Sequence, residues 1–293
     1  MKKKLIVTDI LTICIIILLS LITIIGISSF STDKSYFIIN QYEDNVKIFG
    51  NGIYAHDSYF KAPIFIGSDF TMLFLVVPMM IISLIGEIKK RTIKSKLVLT
   101  TVMGTVLYYS TSIVFGVTYN YLHLAYIALF SSSFFTFIIL VKSINSDDLR
   151  KMQKWILPSN GLSIFLILSG ISLFVAWLPD IISSLINGKS LSLIEVYTTE
   201  ITYVLDIGII SPLIFICLFY LKKNEGIGDI LLAIILKLCQ IIGIMLPIQT
   251  FFQTIAGIKI PIPALITKLG IFVLLATFAA YFNTKFYKNI DLV

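Results

Sequence analysis

Asp206 is the residue whose type and position speak most directly of chemistry. It sits inside the apolar run Ile201–Leu221, a short way from the end that Glu200 opens. A carboxylate held within hydrocarbon costs several kcal/mol unless it is paired, protonated or turned toward water. Thr199, Thr202 and Asp206 fall at i, i+3 and i+7, so they share one helix face. Lys268, in the run Pro263–Phe282, is at a similar expected depth and is the natural partner for that charge. Alternatively Lys268 snorkels to the headgroups. Asp206 then belongs either to a ligand- or proton-binding site or to a structural pair.

A second set of polar residues gathers nearby. Asp180 follows Pro179 and lies close to Trp177, whose indole suits a membrane interface. Glu200 stands at a helix start, where the dipole alone favours an acid. Thr101, Thr105, Tyr108 and Ser112 make a stripe down one helix face, and Tyr119, Asn120, Tyr121 and His123 cluster at its turn. Such a stripe either packs helices or lines a cavity. His123 reads as a hydrogen-bonded interface residue ahead of a catalyst. Tyr108, His123, Asp180, Asp206 and Lys268 all fall in the same half of the bundle, which predicts a polar pocket opening to that side. Toward the other side, Asp9 is expected to pair with Lys237, beside Gln240.

The motifs of enzymes are missing. His56 and His123 are the only histidines, too far apart for a His-Glu-x-x-His zinc helix. No Gly-rich nucleotide loop and no Gly-x-Gly-Asp signature of intramembrane aspartyl chemistry is present. One acidic pair, Glu43-Asp44, occupies the first long loop, where membrane glycosyltransferases that use lipid-linked sugars carry theirs. No catalytic residue, metal or cofactor is therefore assigned.

The elements that must position these residues follow from composition. The chain is 57% hydrophobic and 13% charged, with a mean hydropathy of +0.96 over 293 residues. A soluble domain carries about 25% charged residues. Continuous apolar runs, as opposed to alternating ones, select helices over a barrel. A helix needs about 20 residues to cross about 30 Å of hydrocarbon. Eight spans are predicted: Leu5–Ile27, Phe70–Ile85, Leu97–Val117, Tyr121–Val141, Leu162–Ile186, Ile201–Leu221, Ile230–Phe252 and Pro263–Phe282. Pro78 should kink the second, and Ser68 or Asp69 should cap it.

Basic residues set the orientation. Lys2–Lys4, Lys89–Arg91, Lys94, Lys96, Lys142, Arg150, Lys151, Lys154, Lys222, Lys223, Lys285 and Lys288 fall on one side; Lys34, Lys47, Lys61, Lys189 and Lys259 fall on the other. Both termini are thus expected in the cytoplasm, and the net charge of +7 reads as topology with no nucleic-acid partner. The first run is too long for a cleaved signal and reads as a retained helix. Cys14, Cys217 and Cys239 all lie within spans, so no disulfide framework is implied. The Lys- and Ile-rich usage points to a prokaryotic source.

The chain reads as one membrane domain over 1–293, with an outer loop at about 28–69. In that loop YFII and VKIFG could be strands, with Gly50 and Gly52 as turn residues. Thr118–Asn120 should form a tight hairpin, and Asn187–Glu200 leaves room for a short surface helix. Leu-Pro pairs in WLPDIISSLING and MLPIQTFFQTIAG faintly suggest a parallel repeat of the fifth and seventh spans.

The stretches FGVTYNYLHLAYIALFSSSFF and TTEITYVLDIGIISP, with GSD at Gly67–Asp69, resemble a family of bacterial polytopic membrane proteins of unknown activity. The patterns concerned are YN-x-L-x-L-x-Y and VLD-[LI]-G-x-x-x-P. Asn120, Asp206 and Pro212 match them, while His123 stands where the family carries Phe. The resemblance implies a coherent fold over most of the chain and no reaction, and it weakens a catalytic role for His123.

The expected protein is an all-α integral membrane bundle of eight transmembrane helices in a prokaryotic cytoplasmic membrane. Its leading function is non-enzymatic transport or ligand sensing through an outward-facing polar pocket. The alternatives are an enzyme acting on a lipid-linked substrate at the outer leaflet and an accessory subunit of a membrane complex. Besides membrane lipid, the expected partner is a small polar or lipid-linked ligand on the outer side.

Overall fold

The computed structural model describes residues 6–290, the side chains of Ala264, Thr267 and Lys268 excepted. It is 74% helical and nearly all-α in class. Seven helices among the described residues are long and apolar enough to cross a membrane: α1 Val7–Ser28, α2 Ala62–Lys90, α3 Ile93–Gly116, α4 His123–Lys142, α6 Asn160–Asn187, α7 Ile201–Lys222 and α8 Gly226–Ile255. A short α5, Ser146–Met152, links α4 to α6, and α9, Ile271–Lys288, closes the described chain. The eighth expected run, Pro263–Phe282, becomes a π segment at Leu265–Gly270 followed by α9.

Local chemistry sets the boundaries. Thr92 caps α3 by accepting from the Ser95 amide at 3.1 Å, while the Thr92 amide donates to the Ser95 hydroxyl at 3.0 Å. Asn145 caps α5 through the Asp147 and Asp148 amides. Gly188, at φ +59°, ends α6 in the left-handed conformation that favours glycine.

The second helix begins at Ala62, not Phe70, with Pro63 in its first turn. Asp69 therefore lies within the helix and caps nothing, and the Ser68 hydroxyl donates to its own helix at Ile64. A carboxylate that finds donors on neighbouring elements has no need to end the helix. Pro78 stands inside a continuous α2. It lacks an amide and its ring crowds the carbonyl four residues back, and the wider π turn Met72–Val76 precedes it. The same device recurs in α7, where the π segment Asp206–Ile210 precedes Pro212.

Consecutive long helices run antiparallel between two ends. At the hairpin end, the α1–α2 connection pairs β1 (Tyr36–Ile39) with β2 (Asn45–Ile48) antiparallel, Tyr36 opposite Ile48. Both expected strands are present, and Gly50 and Gly52 take φ of +82° and +60°. The expected surface helix over Asn187–Glu200 is absent. That segment is a succession of turns, because its polar groups bond across to the α1–α2 connection, as described below.

At the other, terminal end sit the chain's two arginines, each holding a fully buried aspartate. Arg91 takes Asp9 with both guanidinium nitrogens, at 3.0 and 2.5 Å, and Arg150 holds Asp229 at 3.1 Å. Asp9 is thus partnered by Arg91 and not by Lys237. Arginine's planar fork suits a buried carboxylate better than a lysine point charge. Lys94 donates to the Tyr287 carbonyl at 2.7 Å, tying the start of α3 to the end of α9.

Candidate functional site

The hairpin end is built by folding the α1–α2 connection back over the bundle. Beneath it Phe49, Ile53, Tyr54, Ala62 and Ile66 form a small core. The Phe49 amide donates to the Asp57 carbonyl and the Tyr59 amide to the Lys47 carbonyl, which turns residues 49–59 inward. Asp57 is then fully buried. Its Oδ1 accepts from the Thr118 amide at 2.9 Å and the Tyr197 hydroxyl at 3.0 Å. Its Oδ2 has no hydrogen-bond partner among the described residues. Burial pushes the Asp57 carboxyl up to about 7, against the pull of those two donors.

Around Asp57 the α1–α2 and α6–α7 connections are laced together. Ser58 Oγ donates to Glu195, Asn40 donates to the Glu195 carbonyl at 2.8 Å, and Lys61 is ion-paired with Glu200. The Lys61 ammonium also lies 4.1 Å from the Tyr197 ring centroid. Burial brings the Lys61 amine down to about 8, opposed by Glu195 and Asp57. Glu200 is consequently more than a favourable charge at a helix start: it is buried, makes no cap, and pairs with a lysine that the sequence placed on a free loop.

Beside this lacing a groove of about 1020 Å³ runs between the hairpin and the end of α6. Asn40, Asp44 and Lys47 stand on one wall, Asp180, Ser184 and Asn187 on the other. A smaller hollow of about 480 Å³ shares Tyr42, Ser184 and Lys189 with it and reaches Glu200.

Asp180 connects the groove to the interior. Its Oδ2 accepts from the Tyr203 hydroxyl at 2.9 Å. The Tyr203 ring stacks on Trp177 at 4.8 Å between centroids, and the Trp177 indole N–H donates to Asp206 Oδ2 at 2.8 Å. The Tyr108 hydroxyl donates to Asp206 Oδ1 at 2.9 Å. Trp177 is therefore a hydrogen-bond donor to a buried carboxylate.

The expected residues accordingly divide. Tyr108, Asp180 and Asp206 belong to one chain of contacts, and Thr202, half-buried, lies on the turn before Asp206. The Lys268 side chain lies outside the described residues. Asn120 and His123 sit apart, at the α3–α4 turn. Asn120 Oδ1 accepts from the Leu122 amide at 2.9 Å and its amide group donates to Tyr126, so it shapes the turn. His123 rests against Tyr119, 5.3 Å between centroids. In the hydroxyl stripe, Thr101 and Thr105 bond to carbonyls of their own helix; outside the stripe, the Ser110 and Ser133 hydroxyls meet across helices at 3.0 Å.

Sequence reasoning missed Asp69, which it read as a helix cap. Asp69 is fully buried in α2, where Tyr54 donates to it at 2.6 Å and Tyr109 donates from the opposite side. Tyr108 and Tyr109 are neighbours, so α3 serves both carboxylates. Adjacent tyrosines pointing some 100° apart on a helix were the signal available. Among the described residues no three His, Cys, Asp or Glu side chains are gathered so as to hold a metal ion.

Seven long apolar helices and a polar-capped end are the features of a multi-pass membrane protein. No family model, no curated protein and no solved structure matches the chain.

Proposed function

We propose that the chain is an eight-span protein of a prokaryotic cytoplasmic membrane with both termini inside, whose hairpin end faces outward and binds a small polar ligand without altering it chemically. The lysines and arginines of the terminal end support this orientation. The run through Leu265–Gly270 and α9 supports an eighth crossing, because its far end meets α3 at the terminal end. The match of Asn120, Asp206 and Pro212 to the YN and VLD patterns supports membership in the bacterial polytopic family described above.

The observation that carries the ligand reading is the groove, whose size and two polar walls suit a ligand bound by many hydrogen bonds. Its hydroxyl and carboxamide side chains favour a polyhydroxylated ligand such as a saccharide, free or carried on a lipid. Occupancy at Asp180 is relayed through Tyr203 and Trp177 to Asp206 at the π turn of α7. That relay suits transport or sensing.

Trp155→Phe leaves Trp177 as the sole indole, since the chain has two tryptophans. Titrating that variant with mono- and oligosaccharides should shift Trp177 emission, and Asp180→Asn should remove the response. A folded protein silent across the panel contradicts the reading. One observation favours the enzyme alternative: Asp44 also lines the groove. Asp44→Asn should leave binding nearly unchanged in a binding protein, and abolish turnover of a lipid-linked sugar in an enzyme.

A further inference from the structure

The packing of the long helices has a regularity that the sequence does not show. In the first half, α1 packs on α2, α2 on α3, α3 on α4, and α4 back on α1. In the second half, α6 packs on α7, α7 on α8, α8 on α9, and α9 back on α6. Each set is a closed ring of four helices. Each has its own hydrophobic core, one built mainly from α1–α4 and the other mainly from α6–α9. The contacts between the sets obey the same correspondence. Helix α2 meets α8 and its counterpart α7 meets α3, while α3 and α8 meet each other. Exchanging α1–α4 with α6–α9 therefore maps these contacts onto themselves, as a two-fold axis along the bundle between α3 and α8 requires.

Features along α2 and α7 recur in a similar order, without a single residue register. Lys61 immediately precedes α2 and Glu200 immediately precedes α7, and these two equivalent positions are ion-paired with each other. Asp69 comes about two turns into α2 and Asp206 about a turn and a half into α7, each buried and each held by two ring donors, drawn from different elements in the two halves. A π segment and then Pro78 follow Asp69 in α2, while in α7 Asp206 itself opens the π segment that precedes Pro212. Both helices end on a lysine, Lys90 and Lys222. The Leu-Pro pairs noted in the sequence lie in α6 and α8, which are not equivalent, so they are not the trace of this repeat.

Asp69, Asp206, Lys237, Gln240 and Gln249 all lie on the four helices that join the halves. At the hairpin end the joint is closed by the two equivalent connections, through Lys61–Glu200, Tyr197–Asp57 and Ser58–Glu195. Asp57 Oδ2 stays buried inside that closure, without a hydrogen-bond partner among the described residues. Paired interrupted helices at the interface of two repeats are where membrane carriers place their sites.

We propose that α1–α4 and α6–α9 are equivalent halves, and that a small polar solute passes between them along α2, α3, α7 and α8 when the Lys61–Glu200 latch opens. This deepens the reading of a ligand-handling membrane protein and chooses transport over sensing. It borrows from that reading only the side that faces outward.

The test uses the full chain with its three cysteines replaced by alanine, in proteoliposomes. Ser68→Cys reports on the joint, because Ser68 accepts from Gln249 of α8 at 2.8 Å. Ser133→Cys, between α3 and α4, and Ser169→Cys, on α6, report on the interior of each half. A small cationic methanethiosulfonate is the probe, applied separately to each face so that a wrong orientation is told apart from a closed path. With Glu200→Gln, or with the milder Tyr197→Phe should the former not fold, labelling at Ser68→Cys should rise at least tenfold from one face, with both controls unchanged. A joint that stays protected from both faces overturns the proposal, and so do controls that rise in parallel, which mean general loosening.

Discussion

At Asp57 and Asp206 the chain keeps a carboxylate out of water, and the means differ. Asp57 has two neutral donors on one oxygen and none on the other among the described residues. Its value near 7 lies above that of a free aspartate, so the folded state holds the proton more tightly. The associated stability is complete in acid, below the unfolded value, and is lost as pH rises through about 7. Thermal unfolding in detergent should therefore show wild type losing stability relative to Asp57→Asn between pH 5 and 8, on the order of a few kcal/mol. Identical pH profiles for the two proteins contradict the assignment. Lys61 works in the opposite sense, since its lowered value makes its charged form, below about 8, the less stable one. For Asp206, removing either donor should cost about 1–3 kcal/mol. Tyr108→Phe and Trp177→Phe should then combine non-additively in denaturant titrations, because they serve one carboxylate. Strict additivity places the two donors on independent sites.

Among the elements, α2 and α7 show how far periodicity and composition reach. The apolar runs place six of the seven long helices within a few residues of their positions, since lipid exposure leaves a long unbroken signature. The start of α2 was hidden by Gly67-Ser68-Asp69, which reads as a loop when the partners of Asp69 are not visible. Those partners, Tyr54 and Tyr109, come from a connection and from the next helix. No local pattern encodes them. The same applies to Glu200 with Lys61 and Asp57 with Tyr197, each more than a hundred residues apart. Gly67 offers a test at this scale. A Cβ there would lie 2.6 Å from the Gln249 Cα, so α2 and α8 approach only because the side chain is absent. Gly67→Val should lower the melting temperature in detergent and abolish the Ser68–Gln249 contact, whereas Gly86→Ala, with open space around it, should be neutral. Equal effects at the two glycines contradict the close crossing.

The whole molecule is polar at both ends in different ways. The terminal end is clasped by arginines on buried aspartates, a fixed arrangement. The hairpin end combines a large groove with a laced lid over partly unsatisfied groups. The contact chain of Tyr108, Asp180 and Asp206 was legible in part from their positions, and the groove was not, because its walls come from two connections and a helix end. Everything inferred about the ligand depends on which face that end meets. Asn45→Cys on the hairpin and Lys151→Cys on α5 decide it, in a chain freed of its own cysteines and labelled in intact cells with an impermeant maleimide. Asn45→Cys should label at once, and Lys151→Cys only after permeabilisation. The reverse result places the groove in the cytoplasm and contradicts the account.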